Sequence, residues 1–372
     1  MAQPPPQRPT RGPHARAEVN DAEVNDVALA DKLAALRDPA RYAPRPRRIE
    51  SIETHMAWVV LAGDRALKLK KPTFRRAVDF ATARARRRDC EREVALNRPL
   101  AGRVYRGITP IVLRAGGELA IGGSGRPVDW LVDMQRLPAR ESIAAHIAAR
   151  SLRRRDVERA ISWLTRFYET VDPEFVTETD YRARLARHIR HAKTELLRDR
   201  FGLRPEAIVP PAERQLEILD GDPELFAPRA RAGALIDAHG DLRPEHVFVR
   251  PVPTFIDCLE FSRELRLLDP VSELAFFALE CQRLGAPWVG EVALAVYAGQ
   301  SGDHPPRRLV DFYRASHALT RAAVAIWHLE DPGGTDGARF RARAMRYLAM
   351  AERYSRRARR HPSVSGESVR PR

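Results

Sequence analysis

The alternation of apolar and polar residues predicts a small β-sheet in the first part of the chain. Trp58–Ala62 and Ala66–Lys70 are strand-like runs, and Gly63-Asp64 between them fits a two-residue hairpin turn whose glycine can take a positive φ. Helical spacing follows over Ala85–Leu100. Further strands are predicted after that helix at Ile111–Arg114, Leu119–Ile121 and Val128–Met134.

The pattern changes beyond Ser142, where the spacing becomes mainly helical apart from a short β interlude over residues 246–257. The chain is therefore predicted to be of the α+β class, with an antiparallel sheet lobe that carries one helix and a larger, mainly helical lobe. The lobes are expected at residues 48–136 and 137–358, joined near Gln135–Pro138.

The two ends of the chain lack this periodicity. Residues 1–47 are rich in Pro, Arg, Ala and Asp and are predicted to form a mostly disordered tail, with one short helical possibility near Val27–Leu36. Residues 359–372 are predicted to form a second, basic tail.

Charge is unevenly distributed along the chain. The formal net charge is +15, and the 34 residues from Arg339 onward hold eleven Arg and two acids, a net of +9. A basic excess favours polyanionic partners, but its position restricts that expectation to weak, salt-dependent binding of nucleic acid through the C-terminal tail.

The cysteine spacing and the length of the apolar runs indicate the cellular compartment in which the protein is expected. The three cysteines, Cys90, Cys258 and Cys281, show no Cys-x-x-Cys spacing, which argues against a disulfide framework and a zinc site. No apolar run approaches the roughly 18 residues of a membrane span, and the first thirty residues lack the apolar core of a secretory signal. A cytoplasmic protein without membrane partners is expected.

One segment, residues 239–261, concentrates the residue types that carry out chemistry. It holds Asp241 in a loop, followed by two strand-like runs around a Pro-rich turn. An antiparallel hairpin of these runs is expected to place His246 opposite Asp257, about 5 Å apart at Cα. A base and a metal ligand could therefore share one pocket.

Residues 239–274 resemble the catalytic and metal-binding segments of the aminoglycoside phosphotransferase family, which has a bilobal protein-kinase-like fold. His-Gly-Asp-Leu-Arg-Pro-Glu-His at 239–246 is similar to the family pattern His-Gly-Asp-Leu-His-Pro-x-Asn, and Ile-Asp-Cys-Leu-Glu at 256–260 to its Ile-Asp-(x)-x-Glu segment. Lys-Leu-Lys-Lys-Pro at 68–72 resembles the corresponding run in an uncharacterised bacterial subgroup of the family. In that subgroup the kinase-like domain is often fused to a C-terminal P-loop kinase. The printed sequence has no G-x-x-x-x-G-K-[ST] motif, so a form with one nucleotide site is expected.

The resemblance implies phosphoryl transfer from ATP, with Mg²⁺, to a hydroxyl or amine of a small molecule. It implies that Asp241 accepts the proton of the acceptor, that His239 supports the loop, and that Asp257 holds the metal. Such a reaction depends mostly on positioning and charge neutralisation.

The nucleotide side is expected upstream. Lys68 and Lys70 share one face of a strand, and Glu91 and Glu93 lie on the helix that follows. The resemblance carries the phosphate-orienting Lys–Glu pair to Lys68 and Glu93, with Lys70 and Glu91 as alternates. It places two residues at the hinge beside the adenine: Met134 and Arg136.

His246 departs from the family pattern, because it stands where the wider family has a metal-binding Asn. Magnesium prefers oxygen ligands, so three roles stay open for His246: orienting Asp241 or metal-bound water, direct ligation, and structural support. A weak or inactive nucleotide-binding pseudokinase is accordingly the alternative function. Two further groups are expected to have packing or bracing roles: the histidines His317 and His328, and Asp269.

Overall fold

The computed structural model describes residues 27–75, 78–330 and 337–360. Its strands are β1 (Ile49–Glu53), β2 (Ala57–Ala62), β3 (Arg65–Lys70), β4 (Phe74–Arg75), β5 (Val78–Asp79), β6 (Tyr105–Leu113), β7 (Leu119–Ile121), β8 (Arg126–Gln135), β9 (Ile236–Asp237), β10 (Val247–Phe248), β11 (Thr254–Phe255) and β12 (Leu267–Leu268). Its α-helices are α1 (Leu29–Arg37), α2 (Ala83–Ala101), α3 (Ile143–Ala148), α4 (Arg154–Thr170), α5 (Glu178–Leu196), α6 (Pro205–Gly221), α7 (Ala227–Arg231), α8 (Arg263–Arg266), α9 (Pro270–Arg283), α10 (Pro287–Ser301), α11 (Arg307–Trp327) and α12 (Gly337–Arg360).

The N-terminal lobe is built on a six-stranded antiparallel sheet in the order β1-β2-β3-β8-β6-β7. Gly63 takes φ +61° in the β2–β3 turn, as the hairpin prediction requires. Leu67 and Leu69 are fully buried on one face of β3. Because side chains alternate along a strand, Lys68 and Lys70 point to the other face, toward α2.

Helix α1 belongs to this lobe, although its residues lie in the segment predicted as a tail. Leu33 and Leu36 pack into the apolar cluster of the sheet. The buried Lys32 ammonium binds Asp129 of β8 at 2.8 Å, and Arg86 of α2 donates two hydrogen bonds to the same carboxylate. Helix α1 matches the short helical possibility near Val27–Leu36, but its packing against the sheet was not expected of a tail, and residues 1–26 lie outside the described part of the chain.

The C-terminal lobe is helical, as predicted. Its apolar core joins α4, α5 and α6 to α9, α10, α11 and α12. The most enclosed helix is α9, where every residue from Pro270 to Cys281 is buried. Helix α12 continues to Arg360, so the predicted basic tail lies outside the described residues apart from its first two positions. Within the described ranges, no helix combines the length and apolar character needed to cross a membrane.

Candidate active site

A tight loop between β9 and β10 carries Asp241. Gly240 takes φ +83°, and a Cβ there would lie 2.9 Å from Cγ of Arg266, so both conformation and space require glycine. Glu273 of α9, which is fully buried, accepts hydrogen bonds from the N–H groups of Gly240 at 2.6 Å and His239 at 3.3 Å. Glu273, in the first turn of a buried helix, thus holds the backbone of the loop in place.

His239 lies beneath this loop, with both ring nitrogens bonded to backbone. Nε2 donates to the carbonyl oxygen of Ile256 at 2.9 Å, and Nδ1 accepts from the N–H of Asp241 at 3.3 Å. Burial lowers the pKa of His239, which fits this neutral tautomer. The ring therefore ties the loop to the β10–β11 hairpin, which is the supporting position that the resemblance implies.

The Asp241 carboxylate faces two guanidinium groups. Arg243 Nε donates to Oδ2 at 3.0 Å, and Arg321 Nη1 from α11 lies 3.9 Å from Oδ1. Burial alone would raise the pKa of Asp241, but Arg243, His246 and Arg321 outweigh it and hold the pKa below its usual value. Asp241 is accordingly ionised at neutral pH.

Asp257 meets the lysine side of the sheet. Lys68 Nζ donates to Asp257 Oδ1 at 2.7 Å and to Glu93 Oε1 of α2 at 2.9 Å, so one ammonium bridges the two lobes. Burial opposes ionisation of Asp257, yet Lys68 and His246 hold its pKa well below the ordinary range. The geometry places the predicted strand lysine, helix glutamate and metal-binding aspartate in direct contact.

The register of the β10–β11 hairpin corrects one expectation. Val247 pairs with Phe255, and the N–H of Ile256 donates to the carbonyl of His246, so His246 lies opposite Ile256 and not opposite Asp257. Asp257 follows the ladder with φ +65°, a left-handed conformation. Even so, His246 Nε2 and Asp257 Oδ2 are 3.5 Å apart.

His246 is a neutral ring in this arrangement. Its Nδ1 donates to the carbonyl oxygen of Asp241 at 3.0 Å, and its Nε2 accepts from Arg243 Nη2 at 2.7 Å. Burial lowers the pKa of His246, and Arg243 lowers it further. Arg243 thus links Asp241 to His246, a contact that the sequence did not predict.

Asp241, His246 and Asp257 form a cluster suited to a divalent cation. One ligand atom from each lies within 4.8 Å of the others. The two carboxylates supply the oxygen ligands that magnesium prefers. The Nε2 lone pair of His246 is already used by Arg243, so the donor set fits ligation by the aspartates with His246 beside them.

The alternates for the nucleotide side lie elsewhere. Lys70 is 1% exposed and forms ion pairs with Asp89 at 2.5 Å, Glu93 at 2.7 Å and Glu260. Glu91 is half exposed and pairs with Arg87 of its own helix, away from the cleft. Lys68 and Glu93 therefore border the cleft, whereas Lys70 forms a buried electrostatic core behind them.

The two hinge candidates differ in environment. Met134 is buried in the apolar cluster between the sheet and α2. Arg136 donates to Glu50 of β1 at 3.0 Å, and its N–H donates to the carbonyl of Asp64 at 2.7 Å. Both therefore stabilise the end of β8 where the chain leaves the sheet.

Two polar residues of the N-terminal lobe hold the Asp257 segment, and sequence reasoning missed both. The Tyr105 hydroxyl accepts from the N–H of Asp257 at 3.0 Å, and Asn97 Oδ1 accepts from the N–H of Cys258 at 2.9 Å. Asn97 lies one helical turn after Glu93, a spacing that places both on one face of α2.

Comparison with known proteins finds uncharacterized sequence relatives and a solved structure with a similar fold. No family model matches the chain. It is 35% identical over 279 residues to an uncharacterized protein of Mycobacterium tuberculosis and to one of Mycobacterium bovis; the alignment covers 74% of this chain and 54% of each relative. The chain thus spans about half the length of these relatives. The crystal structure of a choline/ethanolamine kinase family protein from Mesorhizobium loti matches with a TM-score of 0.51 at 16% identity, covering 88% of this chain and 99% of that one.

Proposed function

Since the chain has the bilobal protein-kinase-like phosphotransferase fold, we propose that it is a small-molecule kinase, which transfers the γ-phosphoryl group of ATP to a hydroxyl or amine. The fold alone does not assign an activity. One observation carries the proposal: in the cleft between the lobes, the ionised Asp241, the Lys68–Glu93 pair and Asp257 converge on one small volume.

Each charged group has a task in such a reaction. Asp241 Oδ1 is the carboxylate oxygen that Arg243 leaves without a hydrogen bond, so it can accept the proton of the attacking group. Arg243 and Lys68 lie on either side of the aspartates and can neutralise charge on the transferred phosphoryl group. Cations that the fold holds in place are effective because they need little reorganisation during the reaction.

Asp257, with Asp241 as its neighbour, would hold Mg²⁺. The ion supplies charge neutralisation on the phosphate oxygens of the nucleotide when it is bound. Tyr105 and Asn97 fix the backbone at Asp257 and Cys258, so the carboxylate is presented from a segment anchored to both lobes.

The test is ADP release from ATP with Mg²⁺ or Mn²⁺ against a panel of sugars, amino alcohols and peptides. Asp241→Asn should lower kcat by about 100-fold or more with an active acceptor, as for loss of a general base. Glu93→Gln should weaken nucleotide binding, whereas its matched control Glu91→Gln, on the exposed face of α2, should leave it unchanged. Equal rates for wild type and Asp241→Asn with every acceptor would contradict a catalytic role.

A nucleotide-binding pseudokinase is the second candidate, and His246 favours it. The ring and Arg243 occupy the position from which the wider family coordinates the metal with an Asn. Thermal unfolding detects nucleotide binding by either candidate, because a ligand at 100 times its Kd adds about 2.7 kcal/mol of stability, and the acceptor assay then separates the two. ADP or ATP that raises the Tm while every acceptor stays unphosphorylated would support the pseudokinase.

A further inference from the structure

A cavity of about 240 Å³ lies in the C-terminal lobe, at the junction of α9, α10, α11 and α12. Its lining includes four arginines and one carboxylate, a formal net charge of +3: Arg307 and Arg314 of α11, Arg353 and Arg357 of α12, and Glu291 of α10. None of the residues to which the proposed phosphoryl transfer assigns a task lines this cavity. It is therefore separate from the candidate active site.

The carboxylate in the wall of the cavity is already shared by two of these arginines. Glu291 Oε1 accepts from Nη2 of Arg314 at 3.1 Å, and its Oε2 lies 3.7 Å from Nη1 of Arg307. Arg314, whose side chain is 5% exposed, also lies 3.8 Å from Asp311, the acid one turn before it on α11. Arg314 is thus balanced by acids, and the excess positive charge of the cavity comes from α12.

The arginine-rich end of α12 divides into paired and unpaired cations. Two of its arginines form ion pairs with acids of α12 and α6: Arg356 with Glu352, and Arg359 with Glu217. Arg353 and Arg357 are exposed, and neither forms an ion pair with another described residue. Because they are four positions apart, they lie on one face of the helix and repel each other. The unpaired cations of this segment are thus the ones that line the cavity.

The ring of Tyr354, which is 2% exposed, gathers three guanidinium groups around one point of the cavity wall. The Cζ atoms of Arg353, Arg314 and Arg357 lie 4.8, 5.4 and 5.9 Å from its centroid. The Tyr354 hydroxyl accepts from Nη2 of Arg353 at 3.1 Å and donates to Gln282 of α9, so the ring is held in place. Attraction to the ring face offsets part of the repulsion between the cations. The three cations therefore converge on the cavity instead of being spread along the surface.

From this arrangement we propose that the cavity is a second binding site, which takes inorganic phosphate or the phosphate group of a small phosphomonoester. Guanidinium groups suit this ligand because their planar donors match phosphate oxygens bidentately. A bound dianion also relieves the repulsion between Arg353 and Arg357. A nucleic acid backbone is a row of phosphates and is bound by cations spread along it, whereas these cations meet at one small cavity. The site does not depend on the proposed kinase function.

Calorimetric titration with inorganic phosphate and with glycerol 3-phosphate tests the proposal. We expect one or both probes to bind the wild type, and the double variant Arg353→Gln/Arg357→Gln to bind them about tenfold or more weakly, since two charged donors are lost. The matched control Arg356→Gln/Arg359→Gln removes the same charge from the same helix outside the cavity, so it should change the affinity by less than about twofold. Tighter binding of one probe than of the other identifies the source of the phosphate.

Glu291→Gln supplies a second readout with the opposite sign. It removes the carboxylate that competes for Arg314, so the probes should bind several-fold more tightly, whereas Glu217→Gln, an exposed acid that does not line the cavity, should leave the affinity unchanged. Absence of binding of both probes to the wild type overturns the proposal. Equal losses in the two arginine double variants would also overturn it, in favour of diffuse attraction to a basic surface. An unchanged affinity in Arg353→Gln/Arg357→Gln would place the phosphate elsewhere, for example at Lys68 in the cleft, and would overturn it as well.

Discussion

Lys68 and Lys70 lie two residues apart on one strand face, yet the structure gives them different environments. Lys70 is 1% exposed and is enclosed by Asp89, Glu93 and Glu260, whereas Lys68 is 14% exposed at the cleft. We therefore predict that Lys70→Met mainly costs stability, because it leaves three buried carboxylates without their shared cation.

The expected magnitude follows from this enclosure. Removing one member of a buried ion pair costs about 3–5 kcal/mol, because the partner charge stays buried and unpaired. Lys68 still neutralises Glu93 in the variant, so the lower end of the range is expected. With a urea m-value of about 3 kcal/mol/M, the midpoint should fall by about 1 M.

Urea denaturation monitored by tryptophan fluorescence measures the effect. Lys71→Met is the matched control, since Lys71 pairs with the exposed Glu53 and its loss should change the free energy of unfolding by less than about 0.5 kcal/mol. Adding Glu260→Gln to Lys70→Met should recover part of the loss, and the double-mutant cycle isolates the coupling. A Lys70→Met variant within about 1 kcal/mol of wild type would refute the reasoning.

Three further perturbations have defined outcomes. Gly240→Ala should cost about 2 kcal/mol in the same denaturation assay and lower kcat, because φ +83° is strained for alanine and its Cβ would meet Arg266. Leu36→Ala should cost about 2–5 kcal/mol if α1 is part of the N-terminal lobe, since Leu36 is fully buried against the sheet; an unchanged midpoint would exclude that packing. Burial, helped by His188 and Arg321, lowers the pKa of His317 to about 4, below its unfolded value near 6.5. The unfolded chain therefore binds more protons between these values, the free energy of unfolding should fall as the pH drops from 7 to 4, and His317→Asn should flatten that profile.

The local pattern of apolar and polar residues predicted much of the secondary structure of the N-terminal lobe, but it did not indicate how deeply each side chain is buried. Alternation along β3 correctly separated the leucines from Lys68 and Lys70. The same pattern could not rank the two lysines, because Lys70 is enclosed by Glu260, which lies 190 positions away in the chain. Burial of this kind depends on how the lobes meet.

Contacts within one loop and one hairpin follow from residues close in sequence, whereas the meeting of Lys68 with Asp257, 189 positions away, was expected only from the family resemblance. The grouping of His239, Asp241, His246 and Asp257 follows from one loop and one hairpin. The register was predicted one residue off because five residues, 249–253, separate the paired Phe248 and Thr254, where a four-residue turn at 250–253 was expected. Helical spacing predicts that α11 exists but not which of its faces meets the Asp241 loop. Arg321 therefore had no signal in the sequence.

Helix α1 shows that the sequence pattern does not reveal where a helix packs. Six of its nine residues are Leu or Ala; Leu33 and Leu36 enter the sheet cluster, and the partly buried Leu29 packs against it. Lys32 adds an ionic contact, because its ammonium is buried against Asp129 beside Arg86. A charged residue that anchors a helix looks like a solvated residue in sequence, so the helical possibility near Val27–Leu36 was placed within a mostly disordered tail instead of the N-terminal lobe.

The two guanidinium groups beside Asp241 also bear on the proposed reaction. By lowering the pKa of Asp241 they make it a weak base, which is unfavourable for abstracting a proton early. A loose phosphoryl-transfer transition state has little bond formation to the acceptor, so the proton of the acceptor can leave late and a weak base is sufficient. Arg243 and Arg321 then keep the carboxylate ionised and leave Oδ1 free to orient the acceptor. Under the proposed function Arg243 therefore has two effects, since it depresses the basicity of Asp241 and neutralises charge on the transferred group.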